Sequence, residues 1–116
     1  MTIKIFHNPR CSKSRQTLTI LEDNGIDVDI IEYLKETPNK ETLMQIINLL
    51  DIKPRDLIRK GEAVYKEKGL NREGLTDDDL IQFMIDNPIL IERPIVYDNN
   101  RAIIGRPPEN VLVFLK

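Results

Sequence analysis

The first 33 residues carry the pattern that most restricts the fold, a strand followed by a helix and a second strand. The apolar run Ile3–Phe6 predicts strand one, and Val28–Tyr33 predicts strand two. Between them, Lys13–Asn24 has the periodicity of a helix, and Gly25 suits the left-handed position that follows a helix end. Two strands joined through a helix at this spacing run parallel, because the crossover returns the chain to the same end of the sheet.

Residues 38–87 predict a mostly helical insert. Thr37 and Pro38 favour a helix start, since proline is accepted at an early helical position. One buried helical face is predicted by four apolar residues at helical spacing: Leu43, Ile46, Ile47 and Leu50. Thr76, followed by three acids, predicts a capped helix that stops before Pro88. Two shorter helices are predicted at Pro54–Arg59 and Ala63–Lys68.

The end of the chain predicts a hairpin and a last helix. Pro94–Tyr97 and Ala102–Ile104 are the two strands, and Pro107 and Pro108 open the helix. Its apolar side is predicted to hold Val111, Leu112 and Leu115. The order βαβ, helical insert, ββα is that of an α/β thioredoxin-like fold. We expect a single domain over residues 1–116, with the insert at about 38–87.

Composition and charge exclude several classes of protein. The chain has 116 residues and a formal net charge of −2, which argues against general nucleic-acid binding. One cysteine cannot form a disulfide within the chain, and a strand pattern rather than a signal peptide begins the sequence. No apolar run reaches the length of a membrane span. We therefore expect a cytoplasmic protein without membrane or nucleic-acid partners.

The first 21 residues differ from this average, since they hold four basic residues and no acid: Lys4, Arg10, Lys13 and Arg15. Such a cluster is either a solvated basic turn or a local anion site. The adjacent Cys11 favours the anion site.

Cys11 is the candidate nucleophile. It lies where strand one turns into helix one, and the first amides of a helix lack backbone partners. Those amides and the helix dipole favour negative charge and lower the pKa of a thiol placed there. Its neighbours Arg10, Ser12 and Lys13 are polar, which favours a reactive thiolate over an inert buried thiol. Ser14 stands where a dithiol motif has its second cysteine, so any redox cycle needs an external thiol.

Four neighbours of Cys11 are candidates for supporting a thiolate or an anion. His7, the only histidine, is either a capping imidazole or a group that favours the thiolate by hydrogen bond or charge. Ser14 and Arg15 either face water or orient the thiolate and an oxyanion. Asn8 precedes a proline, so we expect it to be extended and to shape the loop, and a direct hydrogen bond to a ligand is the alternative. A single histidine argues against a zinc site, and no metal is expected.

Three later arginines stand at breaks between predicted elements: Arg59, Arg93 and Arg106. Arginine is mostly exposed, but guanidinium groups beside rigid turns also bind tetrahedral anions through paired hydrogen bonds. Sequence spacing alone does not bring them to Cys11. Pro94 stands before the third strand, where a thioredoxin-like fold often has a cis-proline that faces the cysteine loop.

Four segments resemble the glutaredoxin-coupled arsenate reductase family. His7–Arg15, with His-Asn-Pro-x-Cys-x-x-Ser-Arg, resembles its active-site signature. The segments that resemble those around its three arginines are Leu57–Lys60, Asn87–Val96 and Gly105–Glu109. They follow the family's order along nearly the whole chain. The Cys-Ser-Lys-Ser loop and the Gly-Arg-Pro-Pro-Glu segment resemble a short branch without the C-terminal extension of longer members.

The resemblance implies reduction of arsenate to arsenite, with Cys11 as nucleophile. The residues that would hold the oxyanion and its anionic intermediates are Arg59, Arg93 and Arg106. His7 would help to keep Cys11 a thiolate, with Ser14 and Arg15 in support. Glutathione would attack the cysteine-bound arsenic, and a glutaredoxin would then remove the glutathione and reset the cysteine. No bound cofactor is expected, glutathione is the expected co-substrate, and a monomer is the default expectation.

Two other functions remain open. A related thioredoxin-like family of regulators binds RNA polymerase and senses redox state through Cys-x-x-Cys, but Ser14 removes that switch. A different thiol-dependent reductase would use the arginines to bind a carboxylate or a sulfur oxyacid. A phosphatase is disfavoured, because the Cys-x5-Arg loop of such enzymes would need an arginine where the chain has Thr17.

Overall fold

The predicted strand–helix–strand unit begins the chain, in a computed structural model that describes residues 2–115. β1 spans Ile3–Phe6, α1 spans Ser12–Asp23 and β2 spans Val28–Ile31, and the two strands are parallel. α1 lies one residue earlier than predicted at both ends, and Gly25 follows it in the left-handed region at φ +75°. β2 is two residues shorter than predicted, because the carbonyl of Glu32 closes a turn by accepting the amides of residues 35 and 36.

Two further strands complete a four-stranded sheet with the order β2-β1-β3-β4. β3 spans Ile95–Tyr97 and β4 spans Ala102–Ile104, and they form the predicted antiparallel hairpin. β3 also pairs antiparallel with β1, where Ile5 stands opposite Val96. At the hairpin turn the Asp98 carboxylate accepts the amides of Asn100 and Arg101. The fold is α/β and thioredoxin-like, with helices inserted between β2 and β3, as predicted.

The last element is a 3₁₀ helix, Pro108–Leu115. Its residues Val111 and Phe114 are buried. They pack with three residues of the core beneath the sheet, Ile5, Leu21 and Val96. The prediction that Leu112 lies on the apolar side was wrong, since it is 39% exposed. A 3₁₀ helix has three residues per turn, so residues three apart share a face, and Phe114 lies below Val111. The side chain of Leu115 lies outside the described residues.

The chain divides into two compact units. The first consists of the residues up to 36 together with those from 93 onward, and it contains the sheet, α1 and the last 3₁₀ helix. The second consists of residues 37–92 and is helical. Its helices are α2 at Lys40–Leu50, α3 at Pro54–Leu57, α4 at Ala63–Glu67, α5 at Asp77–Asp86 and a 3₁₀ turn at Pro88–Leu90. The stretch predicted as an insert falls within this unit, and the single domain stays a prediction.

α2 begins later than predicted. Asn39 is its N-cap, and the Asn39 Oδ1 accepts the amide of Thr42 at 2.8 Å. Thr37 and Pro38 therefore precede the helix, because an asparagine whose side chain binds a first-turn amide is a stronger start signal than an early proline. The predicted apolar face is present, with three buried residues, Leu43, Ile46 and Ile47, and a half-buried Leu50.

α3 ends at Leu57, two residues before its predicted end. Ile58 is extended and forms an isolated antiparallel bridge with Ile91. The amide of Arg59 donates to a carbonyl of the facing segment at 2.7 Å, and the amide of Glu92 donates to that of Leu57 at 2.9 Å. This short ladder holds the backbone of Arg59 beside that of Leu90, and the backbone of Glu92 beside that of Leu57.

α5 begins as predicted. The hydroxyl of Thr76 accepts the amide of Asp79 at 3.1 Å, and the Asp79 carboxylate accepts the amide of Thr76 at 2.9 Å. The helix ends at Asp86, before Pro88. Among residues 2–115, no helix is long and apolar enough to cross a membrane.

Candidate active site

Cys11 stands at the N-cap of α1, in the loop that joins it to β1. Its backbone is extended, with φ −95° and ψ 120°, and its carbonyl accepts the amide of Arg15. Its own amide donates to the carbonyl of Asn8 at 3.0 Å, which closes a tight turn before the helix. The thiol is partly exposed, so a molecule in solution has access to it.

Two arginines from the C-terminal segment of the first unit lie beside the sulfur. The Arg106 Nη2 donates to the Cys11 Sγ at 3.5 Å, and the Arg106 Nε donates to the carbonyl of Arg93 at 2.7 Å. The second contact fixes the plane of the Arg106 guanidinium, and Arg93 itself hydrogen-bonds the sulfur. The structure therefore brings Arg93 and Arg106 to Cys11, which they follow in sequence by 82 and 95 residues.

The surroundings lower the pKa of the Cys11 thiol. Burial acts in the opposite direction and raises it. Hydrogen bonding by the Ser14 backbone amide and the Arg93 side chain favours the thiolate, as do the charges of Arg93 and Arg106, and together they outweigh burial. Cys11 therefore loses its proton at a lower pH than an ordinary cysteine does.

His7, Asn8 and Ser14 form a buried cluster behind the loop. The Ser14 Oγ lies 2.7 Å from the His7 Nδ1 and accepts the amide of Asn8 at 3.0 Å. Ser14 is fully buried, and His7 and Asn8 are 8% and 5% exposed. The Asn8 Oδ1 also accepts the amide of Arg10 at 3.0 Å. These hydrogen bonds tie Asn8 to both sides of the loop.

The pKa of His7 lies below its ordinary value of 6.5. Burial is the main cause, and the charge of Arg15 adds to it, while Glu32 and Glu22 act in the opposite direction. A neutral imidazole is therefore the dominant form at pH 7. Its described contact is with Ser14, whose amide in turn favours the thiolate of Cys11.

Arg15 lies on the exposed side of α1. Its Nη1 donates to the carbonyl of Pro9 at 2.9 Å, so it ties the first helical turn to the loop.

Pro94 and Gly105 support the segment that carries the two arginines. Both Arg93–Pro94 and Arg106–Pro107 are cis peptide bonds. The amide of Gly105 donates to the carbonyl of Pro94 at 2.9 Å. A Cβ on Gly105 would lie 2.6 Å from the Thr17 Oγ1 and 2.8 Å from the Pro94 Cγ, so the approach requires glycine. The sequence analysis gave Gly105 and Thr17 no role, since only the contact between distant segments reveals one.

Arg59 belongs to the second unit, where two carboxylates hold it. The Arg59 Nη1 lies 2.6 Å from the Glu92 Oε1, and the Arg59 Nε lies 3.2 Å from the Glu62 Oε2. Burial lowers the pKa of Arg59, but these two partners outweigh it and raise the pKa above its ordinary value. The sequence analysis missed both glutamates. The i,i+3 spacing was the one available signal for Glu62.

A thiolate beside two guanidinium groups has the elements of an oxyanion site. Guanidinium groups bind a tetrahedral oxyanion through paired, charge-assisted hydrogen bonds. The same groups stabilise negative charge that develops when a nucleophile attacks the bound anion. The arrangement therefore suits attack by Cys11 on an oxyanion held by Arg93 and Arg106.

A family model, related sequences and solved structures all match most of the chain. The sequence model of the ArsC family matches residues 6–114. The chain is 46% identical to a Neisseria meningitidis protein named arsenate reductase, covering 94% of each. It is 48% identical to the uncharacterized protein YfgD of Escherichia coli, covering 95% of this chain and 93% of that one. The solved structure titled arsenate reductase from Vibrio cholerae superposes with a TM-score of 0.94 at 46% identity, covering 97% of each chain.

Proposed function

Because the chain belongs to the ArsC family, we propose that it reduces arsenate to arsenite, with Cys11 as nucleophile. The observation that carries the proposal is the Cys11 sulfur with Arg106 Nη2 at 3.5 Å and a lowered thiol pKa. Arsenate is a tetrahedral oxyanion, the kind of ligand that paired guanidinium groups bind. Relatives named arsenate reductase at 46% identity support the choice of substrate.

The first step is a substitution at arsenic. The thiolate of Cys11 forms a sulfur–arsenic bond, and one arsenate oxygen takes up protons and leaves as water. Arsenic stays As(V) in this step, because no electrons are exchanged. Arg93 and Arg106 balance the negative charge on the remaining oxygens as the bond forms.

The later steps need external thiols, since Cys11 is the only cysteine. Glutathione adds its sulfur to the cysteine-bound arsenic and displaces a second oxygen as water. A glutaredoxin thiolate then attacks the glutathione sulfur and takes it as a mixed disulfide. The electron pair of the broken sulfur–arsenic bond reduces As(V) to As(III). Water then replaces Cys11 on As(III), so that arsenite leaves and the thiolate is restored.

The remaining candidate residues receive supporting roles in this proposal. Arg59 is the third cation proposed to act on the oxyanion or its intermediates, as the family resemblance implies. The residues that fix the loop and the thiolate are His7, Asn8, Ser14, Arg15 and Pro94. The protein uses glutathione as a co-substrate, holds no bound cofactor, and acts as a cytoplasmic monomer.

The decisive experiment measures arsenite formed from arsenate with glutathione and glutaredoxin. We expect turnover by the wild type, none by Cys11→Ser, and none when either thiol partner is left out. Arg93→Lys and Arg106→Lys keep the charge but lose the paired geometry, so kcat/KM for arsenate should fall by about 10- to 1000-fold. Arg72→Lys, an exposed arginine of the second unit, serves as the matched control.

A folded wild type with a reactive thiol but no arsenite production would reject arsenate as the substrate. Activity with another oxidised substrate in the same coupled assay would then identify a different thiol-dependent reductase. Specific capture of a protein partner, independent of thiols and arsenate, would instead favour a regulatory role.

A further inference from the structure

Two cations next to Cys11 have no part in the site described above. Arg10 precedes the cysteine and Lys13 follows it by two residues, and both are exposed. Within residues 2–115, neither side chain takes part in a hydrogen bond or an ion pair. We call Arg10 and Lys13 the outer pair.

The outer pair differs from the two arginines that face the sulfur. Arg93 and Arg106 are half-buried, and the Arg106 Nε is fixed on the carbonyl of Arg93. The outer pair instead stands in water on the exposed side of the loop. No acid occurs in the first turn of α1, and the first acid of the chain is Glu22, so nothing near in sequence neutralises the outer pair.

The proposed reaction brings two different anions to Cys11. Arsenate is small and has to reach the sulfur itself, where Arg93 and Arg106 stand. Glutathione arrives second, from solution, and carries a carboxylate at each end of a short peptide. Those carboxylates belong to the same small molecule as the sulfur, so they come near the loop when the sulfur reaches the arsenic on Cys11. Exposed basic side chains flanking the thiol match that distribution of charge.

We propose that Arg10 and Lys13 bind the carboxylates of glutathione as its sulfur approaches Cys11. This inference rests on the proposed function for its physiological meaning. Arg10 has a planar fork that fits a carboxylate with two hydrogen bonds, and Lys13 supplies a point charge on a flexible stem. The residues therefore set a preference for an anionic thiol over a neutral one of equal reactivity.

The test uses oxidised glutathione and needs no arsenate. The Cys11 thiolate attacks one sulfur, the disulfide bond breaks, a mixed disulfide forms on Cys11 and one glutathione thiolate leaves. The same reaction is measured with the uncharged bis(2-hydroxyethyl) disulfide. The ratio of the two second-order rate constants isolates recognition of charge, since any change in the pKa of Cys11 affects both rates.

We expect the wild type to prefer oxidised glutathione, and the double variant Arg10→Gln/Lys13→Gln to lower that ratio by about three- to tenfold. The preference should also shrink as salt is raised, because the contacts are exposed. The double variant Lys66→Gln/Lys68→Gln, an equal charge change on exposed residues of the second unit, is the matched control and should leave the ratio unchanged. In the coupled assay, the double variant should raise KM for glutathione and leave KM for arsenate unchanged.

An unchanged ratio in the double variant overturns the inference. If both rate constants fall by the same factor, the ratio is also unchanged, and the effect is on the thiol alone. An effect confined to the step with glutaredoxin assigns the outer pair to a protein surface and overturns it as well. A lowered ratio in a protein that makes no arsenite supports the inference and rejects arsenate reduction. Arsenite production with an unchanged ratio supports arsenate reduction and overturns the inference.

Discussion

At the scale of single residues, the groups that favour the thiolate are two arginine side chains and one backbone amide. Ser14 contributes its amide, and Arg93 and Arg106 contribute their guanidinium groups. The imidazole of His7 lies against the Ser14 hydroxyl and has a lowered pKa. A neutral histidine acts on such a loop through its hydrogen bond, because it carries no charge to place near the sulfur.

This state of His7 predicts a pH dependence of stability. Its pKa in the folded protein is lower than the 6.5 of the unfolded chain. Above pH 6.5 both states are neutral, and its contribution to stability is fully present. As the pH falls below 6.5, the unfolded state takes up the proton first, and the contribution is lost down to the folded pKa. The loss has a limiting slope of about 1.4 kcal/mol per pH unit.

Urea denaturation at several pH values between 7.5 and 5.5 measures this loss. We expect the free energy of unfolding of the wild type to fall across that range relative to His7→Gln, which cannot titrate. The comparison is clean because the chain has no other histidine. Parallel curves for the two proteins would contradict the prediction, since they would mean that His7 has the same pKa in the folded and unfolded states.

At the scale of elements, the segments with local signals are the ones that sequence predicts well. β1 has its predicted bounds, and α5 begins where Thr76 and the acids after it place it. The errors occur where a distant segment decides the outcome. α3 stops early because Ile58 pairs with Ile91, and the last helix is 3₁₀, so Phe114 rather than Leu112 is buried. Local sequence holds no information on the pairing of Ile58 with Ile91 or on the core against which Phe114 packs.

The candidate site divides in the same way. The turn around Cys11 was predictable, because strand, turn and helix follow one another within the first 23 residues. The approach of Arg106 to the sulfur was not predictable from spacing, and it entered the sequence analysis only through resemblance. The supports of the arginines, Gly105 and Glu92, were missed, since each acts through contacts with residues distant in sequence.

Gly105 provides a test of how the β4 end positions Arg106. Gly105→Ala would place a Cβ 2.6 Å from the Thr17 Oγ1 and 2.8 Å from the Pro94 Cγ, so the segment has to shift. We expect a loss of about 1–3 kcal/mol in the free energy of unfolding. We also expect the pKa of Cys11 to rise, because the shift moves Arg106 away from the sulfur. The pH dependence of iodoacetamide alkylation measures that pKa.

Gly61→Ala is the matched control, because a Cβ there meets no atom within 4 Å and its φ is not positive. It should leave both the stability and the alkylation profile close to those of the wild type. If Gly105→Ala lowered stability and left the alkylation profile unchanged, the close approach would serve packing alone and would not position Arg106.

At the scale of the whole molecule, the groups of the proposed site are held by two separate sets of contacts. The causes that lower the pKa of Cys11 are Ser14, Arg93 and Arg106, and all lie in the first unit. The carboxylates of Glu62 and Glu92, which hold Arg59, lie in the second unit. Reactivity of the thiol and placement of Arg59 are therefore expected to respond to different substitutions.

Glu92→Gln tests this separation. It removes a charged contact of 2.6 Å between side chains that are 23% and 26% exposed, so we expect the free energy of unfolding to fall by about 1–2 kcal/mol. The alkylation profile of Cys11 should stay that of the wild type, while kcat/KM for arsenate falls because Arg59 loses its position. Asp78→Asn removes an exposed pair with Lys40 at 3.3 Å and should cost at most about 0.5 kcal/mol.

A double-mutant cycle of Glu92→Gln with Arg59→Gln assigns the cause. A coupling energy comparable with the single loss means that the pair itself carries the effect, whereas additive losses mean that each residue acts through other neighbours. A shifted alkylation profile in Glu92→Gln would contradict the separation, since the thiol would then respond to a carboxylate of the second unit. An unchanged profile with reduced arsenate turnover leaves Arg59 as the group through which the second unit contributes to the reaction.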